Sequence, residues 1–190
     1  MRDKSVRIGG NDYNVDEDGY THINIYSNGQ TRLGRDLSNF TQFKVTTPHG
    51  MFESMEGYYH YLKLYRSLLA SGLSTGVDED KLIQLDGLRA VYGRAAQLLG
   101  RDLRKQFTDM QIWIVDVPDA GFNADFETAL LNRIVNDGQL YDKVLSNSLP
   151  YVHYYATTKY VHYEPRFDWL ADRINSVVEK IKEEYYDLSK

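Results

Sequence analysis

The chain contains no cysteine and only four prolines among its 190 residues. The absence of cysteine excludes a disulfide framework, thiolate chemistry and every metal site that needs a thiolate ligand. No apolar run approaches the length of a transmembrane helix, and nothing after Met1 resembles a signal peptide. We therefore expect a cytoplasmic protein with no membrane segment.

An excess of positive charge is also missing. The net charge of -5 and the isoelectric point near 5.5 argue against a general nucleic-acid binder, although they are compatible with a local basic groove. The five histidines show no metal-ligand spacing, and no Ser-His-Asp arrangement can be identified. We therefore expect neither a metal nor a cofactor.

Apolar residues make up 42% of the chain, enough for a core, and the length predicts a single domain over residues 1–190. Tyrosine is abundant, with 16 residues. Because a tyrosine ring combines apolar area with one hydroxyl, this excess fits stacking surfaces and ordinary half-buried positions equally well.

The most informative stretch runs from Leu37 to Lys63. Alternation around Phe43 and Val45 predicts a strand, Pro48-His49-Gly50 predicts a turn, and Met51-Phe52 can return as a second strand. The apolar period then becomes helical, so we expect a helix that begins near Ser54 as its N-cap. Its predicted buried stripe is Met55, Tyr59, Leu62, Tyr65 and Leu69.

Glu56 lies in the first turn of this helix, where the helix dipole alone favours an acidic residue. A functional role is the alternative, because Glu56 shares a flank with His60 and Lys63. Nearby aromatic residues would also suit a ring-lined pocket; they are Phe40, Phe52, Tyr58, Tyr59 and Tyr61. An ionised carboxylate there suits a nucleophile, a general base or a stabiliser of positive charge.

The N-terminal part of the chain predicts short strands at Ser5–Ile8 and at 20–27. Residues 30–36 are expected to form a loop, in which Arg32 and Arg35 either grip a phosphate or are simply solvated. Residues 71–77 are read as a second loop.

A second helical region follows from Asp78, weakened by Gly87 and Gly93, with Gly100 as its C-cap. The basic cluster of Arg101, Arg104 and Lys105 would then serve the helix dipole or bind a pyrophosphate.

The C-terminal half predicts mainly helices. Residues 112–115 read as a buried strand or a packed loop, and Asn123 is expected to cap a helix. Residues 140–145 predict a short helix, and residues 151–163 a strand or extended loop. Pro165 suits the first turn of a long final helix. The predicted apolar face of this helix is Phe167, Leu170, Ile174, Val177, Ile181, Tyr185 and Leu188. The fold class expected is therefore α+β, mainly helical, with a small antiparallel sheet.

One block of residues is similar to a known family. The pattern consists of Ser38-Asn39-Phe40, Gly50, Phe52, Ser54, Glu56, Tyr58-Tyr59 and Lys63. It resembles the NADAR (YbiA-like) family, as do Ile23–Ser27 and Ala96–Arg101, and the resemblance spans residues 23–145. Two departures stand out: Gly57 replaces the family's usual histidine, and the late Asp-x-x-Trp-Gly motif is absent from residues 151–163.

The resemblance implies a YbiA-like fold and an N-glycosidase. Its substrate would be an ADP-ribose or ribosyl-phosphate compound, for example ADP-ribosylated guanine in nucleic acid. The family's acidic residue corresponds to Glu56, the catalytic residue that the resemblance implies. A polar group must also bind or protonate the leaving base, and His60, Tyr59 or a residue from Tyr151 to Tyr163 could serve. The ligand would be bound by Ser38, Asn39, Phe40, Arg35, Lys63, Arg101 and Tyr155.

The alternative is a non-catalytic module that binds an ADP-ribose-like or nucleotide ligand, or a partner protein. The missing Asp-x-x-Trp-Gly motif favours this alternative, and a divergent chain of this kind would suit phage counter-defence. The oligomeric state is not predicted by the sequence.

Overall fold

The computed structural model describes residues 4–71, 79–115, 119–157 and 160–188. Helices predominate over short strands in these ranges, which confirms the α+β, mainly helical fold class. The chain divides into two compact units: unit 1 comprises Met1–Ser38 and Ile134–Lys190, and unit 2 comprises Asn39–Arg133. A single domain over residues 1–190 stays a prediction.

Unit 1 begins with an antiparallel hairpin of β1 (Ser5–Ile8) and β2 (Asn11–Asn14), in the register Ser5 opposite Asn14. A 3-10 turn at Val15–Glu17 follows the hairpin. The two residues of β3 (Ile23–Asn24) then pair in parallel with β6 (Tyr151–Val152). The strand expected over residues 20–27 is therefore much shorter, and its partner comes from the far end of the chain.

The loop predicted over residues 30–36 is wrong, because α1 (Arg32–Leu37) occupies it. Thr31 caps this helix: its Oγ1 accepts a hydrogen bond from the Gly34 amide at 3.0 Å. Gly34 itself allows a close approach, since a Cβ there would lie 2.1 Å from the Asn24 carbonyl oxygen.

The rest of unit 1 comes from the C-terminal part of the chain. Asp137 caps α6 (Gly138–Ser146), accepting hydrogen bonds from the amides of Gln139 and Leu140. A hairpin of β7 (Tyr155–Ala156) and β8 (Val161–His162) precedes a 3-10 turn at Pro165–Phe167 and α7 (Asp168–Leu188). The predicted periodic face of α7 is buried at Leu170, Ile174, Val177 and Ile181, whereas Tyr185 on the same face is 47% exposed.

Unit 2 contains the predicted hairpin, formed by β4 (Val45–Thr47) and β5 (Gly50–Phe52). After it come α2 (Met55–Ala70), α3 (Glu79–Asp86), a 3-10 turn at Gly87–Ala90 and α4 (Gly93–Asp109). The last long helix, α5 (Ala120–Val135), lies in unit 2 except for its final two residues. In the described residues the strands pair two by two, so β1–β2 and β4–β5 are separate sheets.

Several local predictions in unit 2 need correction. Gly100 lies inside α4 rather than at its end, so the basic cluster that follows is also inside the helix. The cap of α5 is Asp119, which accepts a hydrogen bond from the Phe122 amide at 2.7 Å, and not Asn123. Of the two alternatives for residues 112–115, the structure has the loop: Ile112 is buried and the Val115 amide donates to Ser67 Oγ at 3.0 Å, although Trp113 is 79% exposed. The loop predicted over residues 71–77 lies outside the described residues beyond Ser71.

The buried face of α2 also differs from the predicted stripe. Met55 and Leu62 are buried as expected, whereas Tyr59 and Tyr65 are half-buried and Leu69 is exposed. The additional buried aromatic and aliphatic residues are Tyr58, Tyr61, Leu64 and Leu68. The reason is that α2 packs against α4, the 3-10 turn and the hairpin at once, so its buried face is wider than one stripe.

Candidate functional site

The start of α2 is held by Ser54, as predicted. Its side-chain oxygen accepts a hydrogen bond from the Gly57 amide at 3.0 Å and donates one to the Val91 carbonyl oxygen at 3.0 Å. Ser54 is fully buried. One hydroxyl therefore satisfies an otherwise unpaired amide of the first turn and ties the helix to the segment before α4.

Glu56 and His60 form a close, largely buried pair one turn apart on α2. Glu56 Oε1 lies 3.2 Å from His60 Nε2, and the two side chains are only 11% and 16% exposed. Since an ionised carboxylate can only accept, Nε2 is the donor. The Glu56 amide in turn donates to the Asn39 carbonyl oxygen at 3.0 Å. Asn39 thus contacts the catalytic candidate through its backbone.

Two glycines make room for this pair. A Cβ on Gly100 would lie 2.2 Å from His60 Cγ, so the imidazole packs directly on the backbone of α4. A Cβ on Gly57 would lie 2.4 Å from the Leu88 carbonyl oxygen. No side chain fits at Gly57 in this arrangement, so this glycine lets the start of α2 approach the 3-10 turn. The imidazole beside Glu56 is that of His60.

Tyr59 and Lys63 flank the pair. The Tyr59 ring meets the His60 ring edge-on at a centroid distance of 5.1 Å and the Phe122 ring at 5.9 Å. The Lys63 ammonium lies 6.0 Å from the Tyr59 ring centroid. One side of α2 therefore carries the half-buried Tyr59 ring together with the side chains of Glu56, His60 and Lys63. The helix spacing had predicted Tyr59 in the core, and that prediction is wrong.

The other predicted site residues divide between the units. Phe40 is half-buried in unit 2, and Arg101 is exposed on α4. Ser38, Arg35 and Tyr155 belong to unit 1. Arg35 donates to the carbonyl oxygens of Gly29 and Gln30 at 2.8 and 2.7 Å. Tyr155 stacks on His162 at 6.3 Å and meets Tyr26 edge-on. The roles of all these residues in ligand binding stay predictions.

The aromatic residues expected around Glu56 mostly pack elsewhere. His49 Nδ1 lies 3.1 Å from the Tyr58 hydroxyl, and the Arg89 guanidinium lies 4.7 and 4.8 Å from the ring centroids of Phe52 and Tyr61. Burial lowers the pKa of His49 and raises the pKa of Tyr58. This cluster holds the hairpin on α2. The sequence showed only the turn residues that place His49.

A buried polar network in unit 1 was not predicted either. The Asp18 carboxylate accepts from the amides of Asn24 and Gln30 at 2.9 and 2.8 Å. His22 is fully buried and bonds through Nε2 to the Tyr154 hydroxyl at 2.8 Å. Burial lowers the pKa of His22, more than Asp18 raises it. Each polar group has a partner, so the network orders the segment before α1.

Comparison with known proteins gives a likeness in structure. No model of a protein family matches the chain, and no curated protein matches it. The NMR structure of YbiA from E. coli superimposes with a TM-score of 0.55 over 89% of this chain and 87% of that chain, at 16% sequence identity. The chain has the YbiA fold. This finding confirms, at the level of the fold, the resemblance stated from the sequence, and the low identity fits a divergent sequence.

Neither a metal site nor a membrane-spanning helix is found in the described parts of the chain. No three His, Asp or Glu side chains come together there as ligands for a metal ion. No helix there is long and apolar enough to cross a membrane. A surface cavity of about 260 Å³ in unit 1 is lined by other residues than the predicted site; they are Val135, Gly138, Tyr141, Ile181 and Glu184.

Proposed function

We propose that this chain is an N-glycosidase that hydrolyses the bond between a ribose and a base in an ADP-ribose or ribosyl-phosphate compound. The observation that carries the proposal is the close Glu56–His60 pair at the start of α2, in a chain with the YbiA fold. The Ser54-to-Lys63 block that resembles the NADAR family surrounds this pair.

Glu56 is assigned the central role. When the C1′–N bond breaks, positive charge develops on the ribose ring, and water then bonds to C1′ while the base leaves with a proton. A carboxylate beside C1′ stabilises that charge or accepts the proton of the attacking water. The first turn of α2 suits a carboxylate, because the helix dipole favours negative charge there.

His60 is assigned to hold Glu56 and to bind the leaving base, which takes the proton that Glu56 accepts from the attacking water. With Nε2–H donated to Glu56, the ring fixes the direction of the carboxylate. Tyr59, which packs against His60, is the second candidate to bind the leaving base. Phe40 is proposed to stack on that base, Lys63 and Arg101 to bind phosphate, and Asn39 to bond the ribose or phosphate.

The second candidate function is a binding module without turnover. One observation favours it: residues 151–163 lack the Asp-x-x-Trp-Gly motif, and their described part forms short strands with Tyr155 stacked on His162. A ring-rich hairpin can bind a ligand by stacking without providing a carboxylate for the leaving base.

The deciding experiment measures release of free base and ligand binding with the same preparations. The wild type is incubated with ADP-ribosylated guanosine, ribosylamino-pyrimidine phosphate and NAD, and base release is followed by chromatography. Calorimetry with ADP-ribose runs in parallel. Base release that the Glu56→Gln variant lacks supports the glycosidase. Binding of ADP-ribose without base release from any substrate supports the binding module instead.

A further inference from the structure

The exposed face of α4 carries a row of cations. Arg94, Leu98, Arg101 and Lys105 recur at i, i+4, i+7 and i+11, and all four are exposed. The opposite face of α4 is buried at Ala96, Gly100, Leu103 and Phe107. Arg94, Arg101 and Lys105 are called the α4 basic stripe below.

These charges are not arranged to stabilise the helix. Arg94 lies in the first turn, where the positive end of the helix dipole disfavours a cation, and that turn contains no acidic residue. Arg101 has Gln97 and Lys105 four residues away and Leu98 and Arg104 three residues away, so its charged neighbours at these spacings are cations. Like charges at this spacing repel each other.

The acidic groups near the stripe leave it accessible. Lys105 pairs with Asp109 at 3.0 Å, but both side chains are more than half exposed. Because an exposed ion pair contributes little, another anion can replace Asp109 as the partner of Lys105. Asp102 is exposed next to Arg101 in the chain. Arg94 bonds the neutral amide of Gln97. A local excess of positive charge therefore remains on a chain whose net charge is -5.

We infer that the α4 basic stripe binds the phosphodiester backbone of a single-stranded nucleic acid. At about 1.5 Å per residue, Arg94 and Arg101 are about 10 Å apart along the helix and Arg101 and Lys105 about 6 Å. Successive phosphates of one strand are about 3.4 Å apart along a duplex axis, so each cation can contact a different phosphate. Arginine also binds phosphate through two parallel hydrogen bonds.

Two further features suit a nucleic acid better than an acidic peptide. Tyr92, just before α4, is 47% exposed and offers a ring on which a base can stack. Leu98 is 43% exposed between the cations and offers apolar contact to sugars or bases. Gly100, which packs on His60, lies on the opposite, buried face of α4, so the stripe is a surface distinct from the Glu56–His60 pair.

The test uses a labelled, unmodified single-stranded oligonucleotide of mixed sequence and fluorescence anisotropy. We expect the wild type to bind it, with log K falling by about 0.7 per phosphate contact as log salt rises. The double variant R94E/K105E should weaken binding at least about tenfold and flatten this slope. Its fold should persist, because a carboxylate suits a first turn and the one that K105E introduces can pair with Arg101.

The matched control is R7E/K180E, which makes the same change in net charge at exposed positions on β1 and α7. This control should bind the oligonucleotide as tightly as the wild type does. Glu56→Gln should also bind it unchanged, so a failure of the proposed reaction at Glu56 would leave this inference untouched. The inference is overturned if the wild type does not bind, if both double variants weaken binding equally, or if a polyglutamate peptide competes as well as the unlabelled oligonucleotide.

Discussion

At the scale of single residues, Glu56 has two roles that reinforce each other. As a first-turn carboxylate it favours the helix, and as the partner of His60 it is held in one direction inside a largely buried site. Helix stability alone would be served by an exposed carboxylate. The burial of both members of the pair and the glycine behind His60 favour a functional reading.

We predict that Glu56→Gln lowers turnover by about 10²–10³, the usual effect of removing one group that stabilises charge in a transition state. The shape and one hydrogen bond to His60 are kept, so the free energy of unfolding should change by only about 0.3–1 kcal/mol. Ligand affinity should persist. The measurements are kcat on a confirmed substrate, calorimetric affinity and urea unfolding.

The control is Glu53→Gln, which removes a carboxylate two residues before the start of α2 that pairs only loosely with Lys44, at 3.9 Å. Its turnover should equal that of the wild type. Equal turnover in Glu56→Gln and the wild type would contradict the assignment of the reaction to Glu56.

A second residue, His22, should make stability depend on pH. Its pKa is lowered by burial, so as pH falls below about 6.5 the unfolded chain takes up a proton that the folded chain does not. The stabilisation by neutral His22 is therefore complete above that pH and is lost progressively below it. Urea unfolding across this range should show the loss.

Comparison with His22→Gln isolates this contribution. Glutamine can bond the Tyr154 hydroxyl but does not titrate, and His49, whose pKa is also lowered by burial, is present in both proteins. The variant should lose less stability than the wild type between about pH 7.5 and 5.5. Identical pH profiles would show that His22 does not titrate differently in the folded chain.

At the scale of elements, the contact of α2 with α4 is what places the site. His60 lies on the backbone of Gly100, so any side chain at position 100 must separate the two helices or turn the imidazole away from Glu56. Gly100 weakens α4 in its interior but permits this approach. A glycine that looks like a helix end is therefore a packing residue.

We predict that Gly100→Ala lowers the free energy of unfolding by about 1–3 kcal/mol, the usual cost of overpacking, and weakens the Glu56–His60 contact. The matched control is Gly138→Ala at the start of α6, where a Cβ would meet nothing within 4 Å. That change should be neutral or stabilise by up to about 1 kcal/mol. Urea unfolding and the His60 imidazole NMR signals are measured; unchanged values in Gly100→Ala would refute the packing role.

The sequence predicted those elements whose signals are local. The β4–β5 turn, the Ser54 cap and the period of α7 depend on neighbouring residues, and all are found. The signal for α1 was also local, because Thr31 is a cap residue, but residues 30–36 were read as a loop that continues from the turn at Asn28-Gly29. Gly100 could not be interpreted correctly, since its reason lies in another helix.

The same distinction applies to the candidate site. The four-residue spacing of Glu56 and His60 predicted a shared flank, and the two side chains meet. Other features depend on which elements pack against α2. They include the half-buried position of Tyr59 and the contacts of Tyr58 and Tyr61 with His49. Tertiary packing decides such positions, and no pattern within one helix encodes it.

At the scale of the whole molecule, the two ends of unit 2 contact each other. Asn132 Nδ2 donates to the Thr46 carbonyl oxygen at 3.0 Å, and the Arg133 guanidinium lies 5.9 Å from the Phe43 ring centroid. Unit 1 consists of two chain segments that flank unit 2 in sequence. Folding of unit 2 therefore brings these two segments together and reduces the loop-closure entropy that unit 1 must overcome.

We therefore predict that the chain unfolds in one cooperative step, as expected for a single domain. The variant Trp113→Phe leaves Trp169 of α7 as the only tryptophan, so its fluorescence reports on unit 1. Circular dichroism at 222 nm reports largely on the helices, including the long helices of unit 2. Because unit 1 depends on unit 2 to join its segments, the two urea transitions should coincide.

Trp113 is 79% exposed, so its replacement should leave the dichroism midpoint of the wild type unchanged. A fluorescence transition at lower urea than the dichroism transition would show that unit 2 survives without unit 1, and the prediction of one domain would then be wrong.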